Sequence, residues 1–195
     1  GLLGWLRRLR GQQREPVTGL YLWGGVGRGK TYLVDTFYDC LPFQQKMRVH
    51  FHRFMRRVHE HLKALEGEKN PLEKVADKLA GEARVLCFDE FYVSDIADAM
   101  LLGGLFTGLF ERGVTLVFTS NLPPSQLYRE GLQRQRFLPA IAAIERHCEV
   151  IHVDGDEDYR LRLLEKAPLY LDARLPDTQR QLERRFADLC SGDAC

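Results

Sequence analysis

The chain has 195 residues, 45% of them hydrophobic and 28% charged, enough for one sizeable core and at most a small appendage. A formal net charge of +1 excludes any argument from global electrostatics for a nucleic-acid or acidic partner. Five cysteines, Cys40, Cys87, Cys148, Cys190 and Cys195, form no CxxC pair; that pattern reads as reduced thiols and argues against a disulfide framework or a zinc knuckle.

No window reaches the roughly 18 apolar residues of a membrane span, and the opening GLLGWLRRLRGQQR lacks the long apolar centre of a signal peptide. A cytoplasmic protein is expected. Residues 1–14 form a basic N-terminal segment, read either as a frayed terminus or as a short amphipathic helix giving peripheral membrane association.

In chain order, apolar and β-branched runs predict strands at Thr18 to Trp23, Met47 to His52, Arg84 to Asp89, Val114 to Thr119 and Glu149 to Val153. The segments between them are long enough for helices, which predicts a parallel sheet built from right-handed βαβ crossovers. A helix over Lys30 to Cys40 stops before Pro42. A second, over Phe54 to Leu65, places Phe54, Val58, Leu62 and Leu65 on one face and Arg53, Arg56, Arg57 and Glu60 elsewhere. GEKNP near Gly67 reads as a loop. Asp95 is the expected N-cap of a helix running to Glu111, with Gly113 as its stop. NLPPSQ after the fourth strand is a loop, and Asp177 caps a last helix bearing Leu182, Phe186 and Leu189.

The stretch WGGVGRGKT follows the first strand and opens the first helix. Gly24, Gly25, Val26, Gly27, Arg28, Gly29, Lys30 and Thr31 fit G-x-x-x-x-G-K-[ST] in the context that motif requires. Glycines let the backbone wrap its N–H groups around phosphate oxygens, and the helix presents its positive end to the same anion. Lys30 is then expected at the β- and γ-phosphates and Thr31 at Mg²⁺.

VLCFDE ends the third strand on two acids. Asp89 suits Mg²⁺, and Glu90 suits a general base that orients an attacking water; alone, the pair would read as solvated loop acids. Asn121, closing LVFTSN, stands where it could orient that water or sense the γ-phosphate. Arg134 and Arg136 in GLQRQRF are either a solvated basic stretch or donors that stabilise transition-state charge on a neighbouring subunit's nucleotide. His50 and His52 are expected on the second strand and share one face of it, since side chains alternate with period two, but no third ligand at a recognisable spacing makes them a metal site.

The order of these motifs resembles the AAA+ branch of P-loop ATPases. The phrases GLYLWGGVGRGKTYLVDTFYD, HFHRFMRRVHEHL, KVADKLAGEARVLCFDEFYVSDIADAMLL, TSNLPPSQLY, GLQRQRFLPAI and DGDEDYRLR resemble the ZapE-type ATPase family and its mitochondrial relatives. The resemblance implies a P-loop NTPase fold with an AAA+-type five-stranded parallel sheet. The chain departs from the broader pattern in that only about 40 residues follow the fifth strand, too few for a full AAA+ helical lid, so the expected division is 15–153 for the ATPase core and 154–195 for a reduced C-terminal helical segment. It implies Mg²⁺-dependent ATP hydrolysis, with Gly24 to Thr31 as the Walker A loop and Asp89 and Glu90 as the Walker B pair. It further implies Asn121 as the first sensor and Arg136, or alternatively Arg134, as the arginine finger; Arg160 and Arg162 are candidates for a second sensor. Implied partners are ATP and ADP, further copies of the chain sharing active sites between subunits, and the tubulin-like division protein, at the division site beside the inner membrane. Nucleic acid is not an expected partner. Two other readings stay open: a helicase-loader-like ATPase working on a nucleic-acid-bound partner, and a nucleotide switch with negligible turnover.

Overall fold

In a computed structural model that describes residues 17–153, five parallel strands form one sheet. The strands are β1 (Gly19–Trp23), β2 (Lys46–His50), β3 (Val85–Asp89), β4 (Thr115–Ser120) and β5 (Cys148–His152), ordered β2-β3-β4-β1-β5. The helices between them are α1 (Lys30–Cys40), α2 (Phe51–Ala64), α3 (Pro71–Glu82), α4 (Ile96–Glu111) and α5 (Leu138–His147). This is the AAA+-type P-loop sheet expected from the sequence. Because β1 lies between β4 and β5 while the chain moves from β1 to β2 across the sheet, the strand order switches direction beside β1. Open α/β sheets bind ligands at the carboxyl ends of strands at such a switch.

Alternation along the strands divides the core into two layers. Tyr21, Phe88 and Phe118 point to one face, with Phe54, Phe91 and Phe106 packed against them; ring centroids are 4.7 Å apart for Phe54 and Phe88 and 4.9 Å for Phe91 and Phe118. Leu22, Cys87 and Val117 point to the other face, against Val34 of α1. Each fully buried Phe contributes about 2–3 kcal/mol by area, so the aromatic layer, with Phe88 and Phe118 opposite each other in register, reinforces the backbone ladder that pairs β3 with β4. Burial also pushes the thiols of Cys87 and Cys148 up to about 12, whereas Cys40 is exposed. At pH 8 only about one part in ten thousand of such a buried thiol is thiolate. Mass mapping after alkylation of the native chain is accordingly expected to find Cys40 modified and Cys87 and Cys148 protected until denaturant is added; native labelling of Cys87 at the Cys40 rate would contradict this packing.

Two expectations change. β2 ends at His50 and α2 begins at Phe51, three residues earlier than the period-two reading of VHFHRF suggests. The cause is that Phe51, Phe54, Met55 and Val58 recur with helical spacing and are all buried, which outweighs the local strand propensity. His50 and His52 therefore do not share a strand face, although their rings still stack with centroids 5.9 Å apart. The second difference is α3, which the sequence reading leaves without an element. Pro71 occupies its first turn, where a missing N–H costs nothing, and Val75, Ala76 and Leu79 bury its inner face.

The expected caps of α4 hold. Asp95 accepts hydrogen bonds from the N–H of Ala97 at 2.7 Å and of Asp98 at 3.2 Å, and Gly113 follows the helix at φ 73°. α4 is apolar nearly all round because other helices cover it: Gly103 faces Pro139 of α5 and Gly108 faces Ala76 of α3, where an added Cβ would lie 3.1 and 3.2 Å from its neighbour. No described helix is long and apolar enough to cross a membrane. The shortened lid, the last helix from Asp177 and the second-sensor candidates Arg160 and Arg162 lie outside the described residues, as does the basic segment 1–14.

Candidate functional site

The carboxyl ends of β3, β4 and β1 are adjacent in the sheet, and their terminal residues are tied together by the backbone. Gly24 N–H donates to the Ser120 carbonyl at 3.2 Å, and Phe91 N–H donates to the Thr119 carbonyl at 2.7 Å. The Thr119 hydroxyl accepts from the Glu90 N–H at 3.0 Å, and the Ser120 hydroxyl donates to the Phe91 carbonyl at 2.9 Å. The hydroxyls of the polar strand end TSN thus serve as brackets that set the exit path of β3, while Asn121 is left to face the loop.

From β1 the chain turns sharply. Gly24 has φ 148°, and an added Cβ would lie 2.4 Å from the Val153 carbonyl oxygen at the end of β5; only glycine fits there. Gly27 and Gly29 take φ 81° and 83°, the left-handed region that other residues enter at a cost of roughly 1 kcal/mol or more. Gly29 is the N-cap of α1, whose first turn contains no side-chain cap and no acidic residue. The amide end of this helix therefore faces the loop with its partial positive charge uncompensated by a carboxylate of its own first turn, which suits an anion.

Lys30 is buried at 8% exposure, and its ammonium donates to the carbonyls of Gly24 and Gly25, both at 2.6 Å, and to Asn121 Oδ1 at 3.4 Å. The ammonium is thereby held inside the glycine turn and joined to the tip of β4. Two motifs 91 residues apart in the chain meet at this contact. Thr31, one residue into α1, is exposed.

The acidic pair divides its labour by environment. Asp89 ends β3 with 16% of its side chain exposed and is gripped by Arg48 of β2, whose Nε donates to Oδ2 at 2.7 Å and Nη2 to Oδ1 at 3.2 Å. The same guanidinium makes an ion pair with Asp35 of α1. Burial works against the Arg48 charge, but the hydrogen bonds it donates to Asp89 and Asp35 outweigh it and raise its affinity for the proton further. Glu90, by contrast, is 85% exposed at the side chain, sits at φ 54°, and has Nδ1 of His50 3.9 Å from its Oε2. One carboxylate is thus fixed and the other stands out into solvent above the strand ends, an arrangement that suits a metal holder beside a solvent-facing base.

Arg48 is the site residue that the sequence reading misses. Its signal is a cation two residues before the end of a strand otherwise written KMRVH, paired in register with Cys87 and so on the same face as Asp89. Tyr21 is another: its buried hydroxyl donates to the Leu122 carbonyl at 2.8 Å and fixes the turn after Asn121.

Arg134 and Arg136 lie on a 3₁₀ turn before α5, and their contacts lead away from the glycine turn. Arg134 Nη2 donates to the Ser125 carbonyl at 2.8 Å, while Arg136 is exposed, with Nη1 3.8 Å from Met100 Sδ. Lys30 and Asn121 are in direct contact, Asp89 and Glu90 stand at the carboxyl end of β3, the strand next to β4, and the contacts of the two arginines are with Ser125 and Met100.

A model of the AFG1-like ATPase family matches residues 4–195. The chain belongs to the AFG1-like ATPase family. It is 56% identical over 98% of its length to the cell division protein ZapE of Escherichia coli, of which the match covers 52%. It is 41% identical over 90% of its length to lactation elevated protein 1 homolog B of Danio rerio, covering 37% of that protein. This AFG1-like chain thus spans about half the length of the first of these relatives and less of the second. Among solved structures, DnaI superposes with TM-score 0.53 at 21% identity over 76% of this chain and 81% of that one. AMPPCP-bound DnaA of Aquifex aeolicus superposes with TM-score 0.53 at 15% identity, over 85% of this chain and 50% of that one. At that identity the likeness is one of fold.

Proposed function

We propose that this AFG1-like chain is an ATPase that uses Mg²⁺ and acts in cell division by remodelling the division ring. The observation that carries the chemistry is that the carboxyl ends of three neighbouring strands, β3, β4 and β1, carry the gripped Asp89 and exposed Glu90, Asn121, and the glycine turn whose buried Lys30 touches Asn121. The cell-division role rests on the 56% identity with a protein bearing that name, with the tubulin-like division protein as partner and the cytoplasmic side of the inner membrane as place of action.

In this reading the amides of Gly25 to Thr31 and the ammonium of Lys30 hold the phosphates of ATP. Thr31 and Asp89 fit a hard cation because they offer only oxygen donors, one of them a carboxylate already fixed in orientation. Mg²⁺, when bound, would neutralise charge on the β- and γ-phosphates. Glu90 takes the proton of an attacking water, which its exposure and its place beyond the strand end permit, and Asn121 orients that water from beside Lys30.

Arg136 completes the site of a neighbouring copy. It is exposed, whereas Arg134 is already engaged with the Ser125 carbonyl. A site shared in this way requires assembly, so turnover per subunit is expected to rise with protein concentration in a steady-state phosphate-release assay. A flat specific activity at every concentration would contradict the shared site, and no phosphate release at any concentration would favour the nucleotide switch. The helicase-loader reading needs a continuous basic stripe through Arg53, Arg56 and Arg57 to Arg134 and Arg136. Arg57 is instead paired with Glu82, and Arg134 with a backbone carbonyl, which leaves that stripe broken.

A further inference from the structure

Arg48 is the side chain that holds the proposed metal carboxylate. Its guanidinium grips both oxygens of Asp89, through Nε at 2.7 Å and Nη2 at 3.2 Å, and its third nitrogen pairs with Asp35 on α1. The three residues come from three elements: β2, β3 and the helix that opens at Lys30. Register explains the meeting. Arg48 pairs with Cys87 and His50 with Asp89, so residues 48, 87 and 89 share the sheet face that α1 covers.

A strand-end carboxylate with a free χ1 would sample several rotamers and lose entropy on settling into one. A planar fork bound at both oxygens removes that freedom. An ionised carboxylate has about four lone-pair sites, and the fork uses two. The remaining sites stay available for a metal or its water without displacement of Arg48. We infer that Arg48 is a positioning residue for the metal: through the Asp35–Arg48–Asp89 bridge it presets Asp89 relative to the helix that carries Lys30 and Thr31. This rests on the reading that Asp89 serves the metal of a bound nucleotide.

Two effects of removing Arg48 oppose each other. Loss of a cation leaves Asp35 and Asp89 more negative, which would draw Mg²⁺ in. Loss of the fork leaves Asp89 unoriented and beside a like charge. Groups that orient metal ligands are typically worth about 10–100-fold in metal affinity, and the Asp35 carboxylate already offsets much of the charge of Arg48 at short range, so orientation is expected to dominate.

The test is binding of a fluorescent non-hydrolysable ATP analogue to the full chain, titrated with Mg²⁺ and repeated in chelator. In the parent, Mg²⁺ tightens binding. In Arg48→Ala the Mg²⁺ concentration giving half of that tightening is expected to rise about 10–100-fold, while affinity in chelator stays within about twofold, since Arg48 is not placed at the phosphates. Arg48→Lys keeps the charge but not the fork and is expected to shift nearly as far. Asp35→Asn, which removes only the second anchor, shifts in the same direction by less; these two variants decide the matter if the alanine variant fails to fold. An unchanged or tighter Mg²⁺ response in the Arg48 variants overturns the inference and leaves the nucleotide site standing. A parent whose analogue binding ignores Mg²⁺ overturns the metal reading of Asp89 and this inference with it.

Discussion

Replacing Lys30 by alanine is expected to weaken ATP binding by about 10²–10³-fold, because charge-assisted hydrogen bonds to phosphate are worth about 1.5–3 kcal/mol each and the ammonium can make more than one. The position of the ammonium explains the size of the effect. It is held within the glycine turn by the carbonyls of Gly24 and Gly25, so its removal takes the enclosed positive charge away from the phosphate position. The same removal leaves two carbonyls without that donor, at a cost of about 1–3 kcal/mol, so a modest fall in thermal stability is expected beside the loss of binding. Fluorescent nucleotide titration, with circular dichroism to verify the fold, checks both parts. Parent-like affinity in the folded variant would remove Lys30 from the site.

Glu90→Gln is expected to behave in the opposite way: binding retained, hydrolysis slowed by about 10²–10⁴-fold, the usual contribution of a general base. Glutamine keeps the size of the side chain and loses only the ability to accept a proton. Glu90 is 85% exposed at the side chain, so the fold should notice little, within about 0.5 kcal/mol. Single-turnover phosphate release from preloaded ATP separates this from a binding defect. Parent-like turnover would show that water activation lies elsewhere, and weakened binding would show that Glu90 contacts nucleotide directly.

Both of these residues stand in features that are legible in the sequence. The glycine turn is readable because the requirement is local: positive φ at Gly27 and Gly29 and a missing Cβ at Gly24 are written as glycine in the chain itself. The acids at the end of VLCFDE are readable because four buried apolar residues in a row can be little other than a central strand. Asp95 and Gly113 mark the ends of α4 by the same local chemistry.

Arg48 is not readable, since its partners lie 13 and 41 residues away, and only the register of β2 with β3 brings them together. The start of α2 misleads because Phe51 and Val49 satisfy period two in sequence, while Phe51 satisfies the helical period in three dimensions. α3 escapes notice because its apolar face is small and its flanks, Gly67 and Asn70, both at positive φ, advertise a loop. For the arginines, the family resemblance puts Arg136 first and Arg134 as the alternative; their surroundings separately distinguish an engaged Arg134 from an exposed Arg136.

A crystal structure of the Glu90→Gln chain with ATP and Mg²⁺ is the most direct test of the nucleotide site. Phosphate oxygens are expected within hydrogen-bonding distance of the Lys30 ammonium and of the amides between Gly25 and Thr31, with the metal between Thr31 and Asp89 and the substituted side chain at position 90 facing the γ-phosphate. ATP bound away from the glycine turn, or phosphates in the turn with Asp89 and the side chain at position 90 directed elsewhere, would contradict it.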